Sequence, residues 1–183
     1  DIRYRERSEG EPHPHAMELL ARIWREGLSG RIQAIGWEES SVLCNGGITD
    51  VNGEALLRKG MEGGGFLFDE TEEKGFGDWL TVSEILWEAA SACTAPGFLR
   101  ERKNLSLVAT EFTGRAEDMP LAEETARLVA ALPSLLSLNK LMEEQEVRFS
   151  LVESDIEALY MLGLCSFSRP QGKAPSTKKT PRI

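Results

Sequence analysis

The chain has 183 residues, of which 41% are hydrophobic and 28% charged, enough apolar content to build a core for one sizeable domain or two small ones and too much for a disordered chain. The net charge is −9, but all five basic residues of 169–183 stand apart from any acid, so residues 1–168 hold 16 basic and 30 acidic side chains and carry −14. An acidic body repels phosphate backbones, which argues against broad nucleic-acid binding by the body itself; the basic tail, read as a disordered solvated segment, could still touch an anionic partner.

Residues 1–16 read as a charged, flexible leader that contains His13 and His15. Residues 17–27 place Leu19, Leu20, Ile23 and Trp24 at helical spacing, with Gly27 as the C-cap. Residues 29–51 read as β. The stretch 31–37 alternates around Ile32 and Ile35, a turn near 38–40 leads to Val42-Leu43-Cys44, and Ile48–Val51 makes a third strand. Between the second and third strands stands Asn45-Gly46, a strong hairpin signal, because both central residues of a type I′ turn need positive φ. Three strands joined by tight turns predict an antiparallel meander. Residues 53–62 predict a short helix with Ala55, Leu56 and Leu57 inward, and Gly63-Gly64-Gly65 breaks it. Phe66-Leu67-Phe68 is a strand able to return to the sheet, and 69–78 is a polar loop.

Residues 81–94 predict a helix with a Thr81–Glu84 capping box and with Val82, Ile85, Leu86, Ala89 and Cys93 along one face. Trp79 stands just ahead of it as a staple-like contact. Pro96-Gly97 stops it, a further helical turn fits 98–103, and Leu105–Ala109 fits a strand before a loop at 114–118. Helices fit 121–131, 134–144 and 154–162, the last with Ser154 or Asp155 as N-cap and Gly163 as terminator, and Leu164–Phe167 is a closing strand. Three helices and a strand at 119–168 resemble a winged helix-turn-helix, with a soft boundary at 104–118. The fold class expected is therefore α+β: a small antiparallel sheet with flanking helices over 17–104, then a helical, winged-helix-like unit and a basic tail at 169–183.

Motifs for chemistry are weak. The glycine run precedes a strand instead of joining a strand to a helix N-terminus, and no GxxxxGK[ST] is present, so it reads as a break and not as a phosphate loop. Cys44 beside the hairpin lacks a general base, because both histidines lie in the leader, and it reads as a small core thiol. His13-Pro14-His15 is a poor metal site. The acidic pairs Asp69-Glu70, Glu72-Glu73, Glu123-Glu124 and Glu143-Glu144 read as solvated surface. No catalytic residue, cofactor or metal is expected. Three widely spaced cysteines without a CxxC suggest reduced thiols, and the chain has neither an apolar signal region nor a run of the roughly 20 apolar residues a span needs; a cytoplasmic protein is the expectation.

The groove-reading helix of a winged helix should be basic. Residues 154–162 carry two acids, Asp155 and Glu157, and no base, which points to protein binding. Asp155, Glu157 and Tyr160 on that helix, together with Trp79, are the candidate partner-binding residues. The alternative is a transcription-associated winged-helix factor that reaches nucleic acid through 169–183.

The order of elements, with Ser29-Gly30-Arg31-Ile32, Asn45-Gly46-Gly47-Ile48, Gly53-Glu54-Ala55-Leu56-Leu57 and Gly65-Phe66-Leu67-Phe68, resembles the PATAN domain family over residues 17–94. Asn45, Gly46, Gly53 and Gly65 would then be structural turn positions. The doubled Gly46-Gly47 departs from the family pattern, and no response-regulator receiver is attached. The resemblance implies a non-enzymatic adaptor that works by protein–protein interaction in bacterial signalling, motility or polarity, with a protein partner of unknown identity. An oligomer is compatible with it.

Overall fold

Four antiparallel strands and three helices make up the first half of the chain in the computed structural model, which describes residues 14–170. Helix α1, Pro14–Glu26, buries Leu20, Ile23 and Trp24 along one stripe and ends at Gly27 with φ +63°. It begins before the expected residue 17 because Ala16, only 1% exposed, belongs to the core. His15 is therefore an exposed residue of the first turn of α1 and not part of a leader outside the fold. His13 and the basic residues after Arg169 lie outside the described residues.

Strand β1, Gly30–Ala34, pairs antiparallel with β2, Ser40–Cys44, which sets Arg31 opposite Val42. Asn45 and Gly46 have φ +50° and +79°, the two positive values that a type I′ hairpin needs. Gly46 is demanded twice over. A Cβ there would stand 3.0 Å from the carbonyl oxygens of Ile23 and Trp24, and its N–H donates to the Leu28 carbonyl at 2.8 Å. The hairpin tip is thus seated on the end of α1. Strand β3 is only Gly47–Ile48, shorter than expected, because Ile48 turns to bridge Asp78. Strand β4, Phe66–Glu70, follows Gly65 at φ +97° and lies antiparallel to β1, so the sheet order is β3-β2-β1-β4.

Helices α2, Gly53–Glu62, and α3, Trp79–Ala92, complete this half. Leu56, Leu57, Gly60 and Met61 face inward on α2. Ala55, expected inward, is exposed, because the three- and four-residue spacing runs from Gly53 and leaves residue 55 on the opposite side. The expected Thr81–Glu84 capping box is replaced by Asp78, whose carboxylate accepts from the Thr81 N–H at 3.1 Å and the Thr81 hydroxyl at 2.7 Å. Asp78 is the residue whose side chain reaches the third helical N–H, so the helix starts at Trp79. Trp79 is the first residue of α3 and not a flanking staple.

The second half carries a 3₁₀ turn at Arg100–Arg102, strand β5 at Ser106–Ala109 and a second 3₁₀ turn at Thr113–Asp118, where a loop was expected. Helices α4, Glu123–Ala130, α5, Leu138–Glu144, and α6, Phe149–Met161, follow, and β6, Cys165–Ser168, pairs antiparallel with β5. Helix α5 starts later than 134 because its cap is Ser137, which accepts from the Lys140 N–H at 3.4 Å. Helix α6 starts earlier than 154, so Ser154 and Asp155 are interior helical residues and not caps. Gly163, at φ +74°, ends it as expected.

One buried apolar cluster runs from Ala16 to Cys165. Helix α3 touches α1, α2 and α6. Arg25 of α1 donates to the Leu162 carbonyl at the end of α6 at 2.7 Å, a cation placed on a helix C-terminus. The expected boundary at 104–118 thus falls within a continuous core. The chain is a mixed α+β fold with a four-stranded antiparallel sheet and several helices. No helix among the described residues is long and apolar enough to cross a membrane.

Candidate interaction surface

The acids of α6 are turned toward the protein. Asp155 accepts from the Ala122 N–H and the Thr125 hydroxyl, both at 2.9 Å, and so caps the start of α4 from a neighbouring helix. Glu157 is 5% exposed and accepts from the Ala95 N–H at 2.9 Å. Burial pushes its carboxyl above the usual range; the Ala95 N–H lowers it, while neighbouring Glu153 raises it further. Glu153 accepts from the Gly97 N–H at 3.0 Å. These carboxylates tie the loop after α3 and the start of α4 to α6. The face expected to meet a partner is spent on donors within the fold.

Tyr160 keeps an outward position at 41% exposure, within a trio of rings whose centroids lie 5.4 Å (Phe98) and 5.5 Å (Phe167) from its own. Arg102 stacks on Phe98 at 3.8 Å. Trp79 is half-buried and faces the Arg115 guanidinium at 5.9 Å, while the same guanidinium lies 5.6 Å from buried Trp24. Trp79 and Tyr160 thus belong to separate aromatic groupings. Asn45, Gly46 and Gly65 hold positive φ at turns, and Gly53 is the first residue of α2.

The sheet itself offers the more open surface. Its inner face, with Ile32, Ala34 and Leu43, is buried in the core. On the outer face stand Arg31, Gln33, Ser40, Leu67 and Asp69, and among the described residues no helix lies over them. At the far end the loop after β4 folds over this face, where the buried Cys44 thiol donates to the Gly75 carbonyl at 3.1 Å. The β1–β4 end stays open, and Leu67 is 60% exposed there.

Strand β4 is also an unpaired edge. The Ile35 N–H donates to the Gly65 carbonyl at 2.9 Å and the Thr71 N–H to the Ser29 carbonyl at 3.0 Å. These two bonds fix the phase of the ladder. Leu67 and Asp69 bond to β1, so the backbone N–H and C=O of Phe66, Phe68 and Glu70 point away from it. Among the described residues nothing pairs with them. A groove of about 210 Å³, lined by Arg31, Gln33, Leu67, Phe68 and Asp69, runs along this edge. A larger open cleft of about 870 Å³ lies at the C-terminal end of the strand, between the α1–β1 turn and residues 70–74, where Glu70, Glu72 and Glu73 outnumber Lys74.

Phe66–Phe68 is legible in the sequence as a strand of the sheet, but its place at the edge is not local to those residues. The signal was available: a meander of three strands leaves only an outer position for a fourth. Among the described residues no three His, Cys, Asp or Glu side chains gather as a metal-binding set. Compared with protein-family models, curated proteins and solved structures, the chain matches none.

Proposed function

We propose that this protein is a non-enzymatic interaction module of the PATAN type, which docks a protein partner on the open β1–β4 end of its sheet. The observation that carries this reading is the unpaired edge of β4 beside an uncovered sheet face that bears Leu67. An edge strand presents a row of unmet donors and acceptors, and proteins with no use for one shorten, charge or cover it. Here Phe66, Leu67 and Phe68 carry no charge, and only the far end of β4 is charged, by Asp69 and Glu70. The non-enzymatic part rests on chemistry: burial pushes the Cys165 thiol up to about 12, so it stays protonated and is a poor nucleophile. The PATAN part rests on the element order over 17–94 and on the turn residues Asn45, Gly46, Gly53 and Gly65.

Residues 119–168 are read as a winged-helix-like companion of three helices with the β5–β6 ribbon. Its last helix, α6, would be the groove-reading one, yet Val152, Ile156 and Leu159 are buried and Asp155 and Glu157 face inward. That supports a scaffold role over nucleic-acid reading by this helix. The test is affinity capture from native lysate with wild-type protein and with Leu67→Lys as baits. The substitution is expected to release the specifically retained proteins and to leave the melting temperature unchanged, since Leu67 is exposed. Identical capture by both baits would contradict the proposal.

A further inference from the structure

We infer that the β4 edge takes up, as a fifth strand, an extended peptide segment that carries basic residues; the inference rests on reading this edge as the docking surface. The backbone supplies the first half of the argument. Phe66, Phe68 and Glu70 present three outward N–H and three outward C=O groups with the spacing of a ladder that lacks its next strand. Peptides that add to a sheet edge gain affinity from such groups and specificity from side chains above and below.

Charge supplies the second half. The edge runs from an uncharged beginning at Phe66–Phe68 into Asp69 and Glu70, then into the acidic cleft with Glu72 and Glu73. A strand laid along it sets two residues of its outer face, two apart in sequence, opposite Leu67 and Asp69; basic side chains there lay their aliphatic stems on Leu67 and their charge beside Asp69, and their continuation meets the cleft. A second copy of the chain fits less well. Residues 1–168 carry −14, and two such bodies repel each other at close approach.

Two blocked hexapeptide probes, alternating Lys-Val and alternating Glu-Val, decide the matter with backbone amide exchange followed by NMR. In the free protein the amides of Phe66, Phe68 and Glu70 should exchange readily, while those of Leu67, Asp69 and Thr71 are protected. The Lys-Val peptide should slow the first set tenfold or more and lose affinity with added salt; the Glu-Val peptide should do neither. Glu70→Pro removes one outward N–H and no bond to β1, so it should weaken Lys-Val binding at least tenfold relative to Glu70→Ala, with the Leu67 and Asp69 amides still protected in both variants. Equal binding of the two peptides, or Lys-Val binding without protection at 66, 68 and 70, overturns the inference. So does a free protein that sediments as a dimer with those three amides already protected, because a second copy then fills the edge. If neither peptide binds while Leu67→Lys still releases retained proteins, the fifth-strand inference falls and the interaction-module reading stands.

Discussion

Glu157 shows how a charged residue becomes internal structure. It is almost wholly buried, it holds the Ala95 N–H, and its carboxyl sits above the usual range because burial disfavours the ion. A raised carboxyl favours the protonated native state. Its contribution to stability is full below the ordinary carboxylate range and is lost as pH rises through the raised value. Glu157→Gln keeps an acceptor for Ala95 without the charge. Thermal melts should therefore show the variant gaining on wild type as pH rises from about 4 to 7, with no gain at the acid end. Glu157→Ala removes the acceptor of the Ala95 N–H and should lose about 0.5–1.5 kcal/mol at the acid end, and less as pH rises. A variant pair that tracks wild type across the whole range would mean that the buried carboxylate does not govern this junction.

At the scale of elements, the hairpin tip joins the sheet to the first helix. Gly46 holds φ +79° against the last carbonyls of α1. Gly46→Ala meets both the left-handed penalty, about 1–2 kcal/mol, and the crowding, so a chemical-denaturation midpoint should fall by the equivalent of at least that amount. No change would mean that the turn relaxes freely from α1. What was legible in the sequence was local. Helical stripes placed α1, α2 and α3 to within a few residues, and Asn45-Gly46 placed the hairpin, because both signals depend on neighbours along the chain. The misplaced features depend on partners far away. Asp78 won the cap of α3 from Thr81 by a side-chain reach that the spacing allows for either residue, and α6 extended back to Phe149 because Val152 is wanted in the core. Asp155 and Glu157 looked like surface because an acid on a polar helix face usually is; their backbone partners lie 33 and 62 residues away. The edge character of β4 likewise follows from the whole sheet order and not from its five residues.

In the whole molecule, α3 and the α6 acids fuse two runs of chain into one core, which leaves the outer sheet face as the large uncovered side of the first half. Contacts made there should feel the −14 carried by residues 1–168, with a basic partner bound less tightly as salt rises. The central claim is about place: the partner meets the β1–β4 end. The most direct measurement is site-specific photo-crosslinking in native lysate, with the photoreactive residue at Leu67 in one sample and, as a control, at Val51, which is 94% exposed near the opposite end of the sheet. The account predicts a discrete protein adduct from position 67 and none from 51. An adduct from 51 with none from 67 would contradict it.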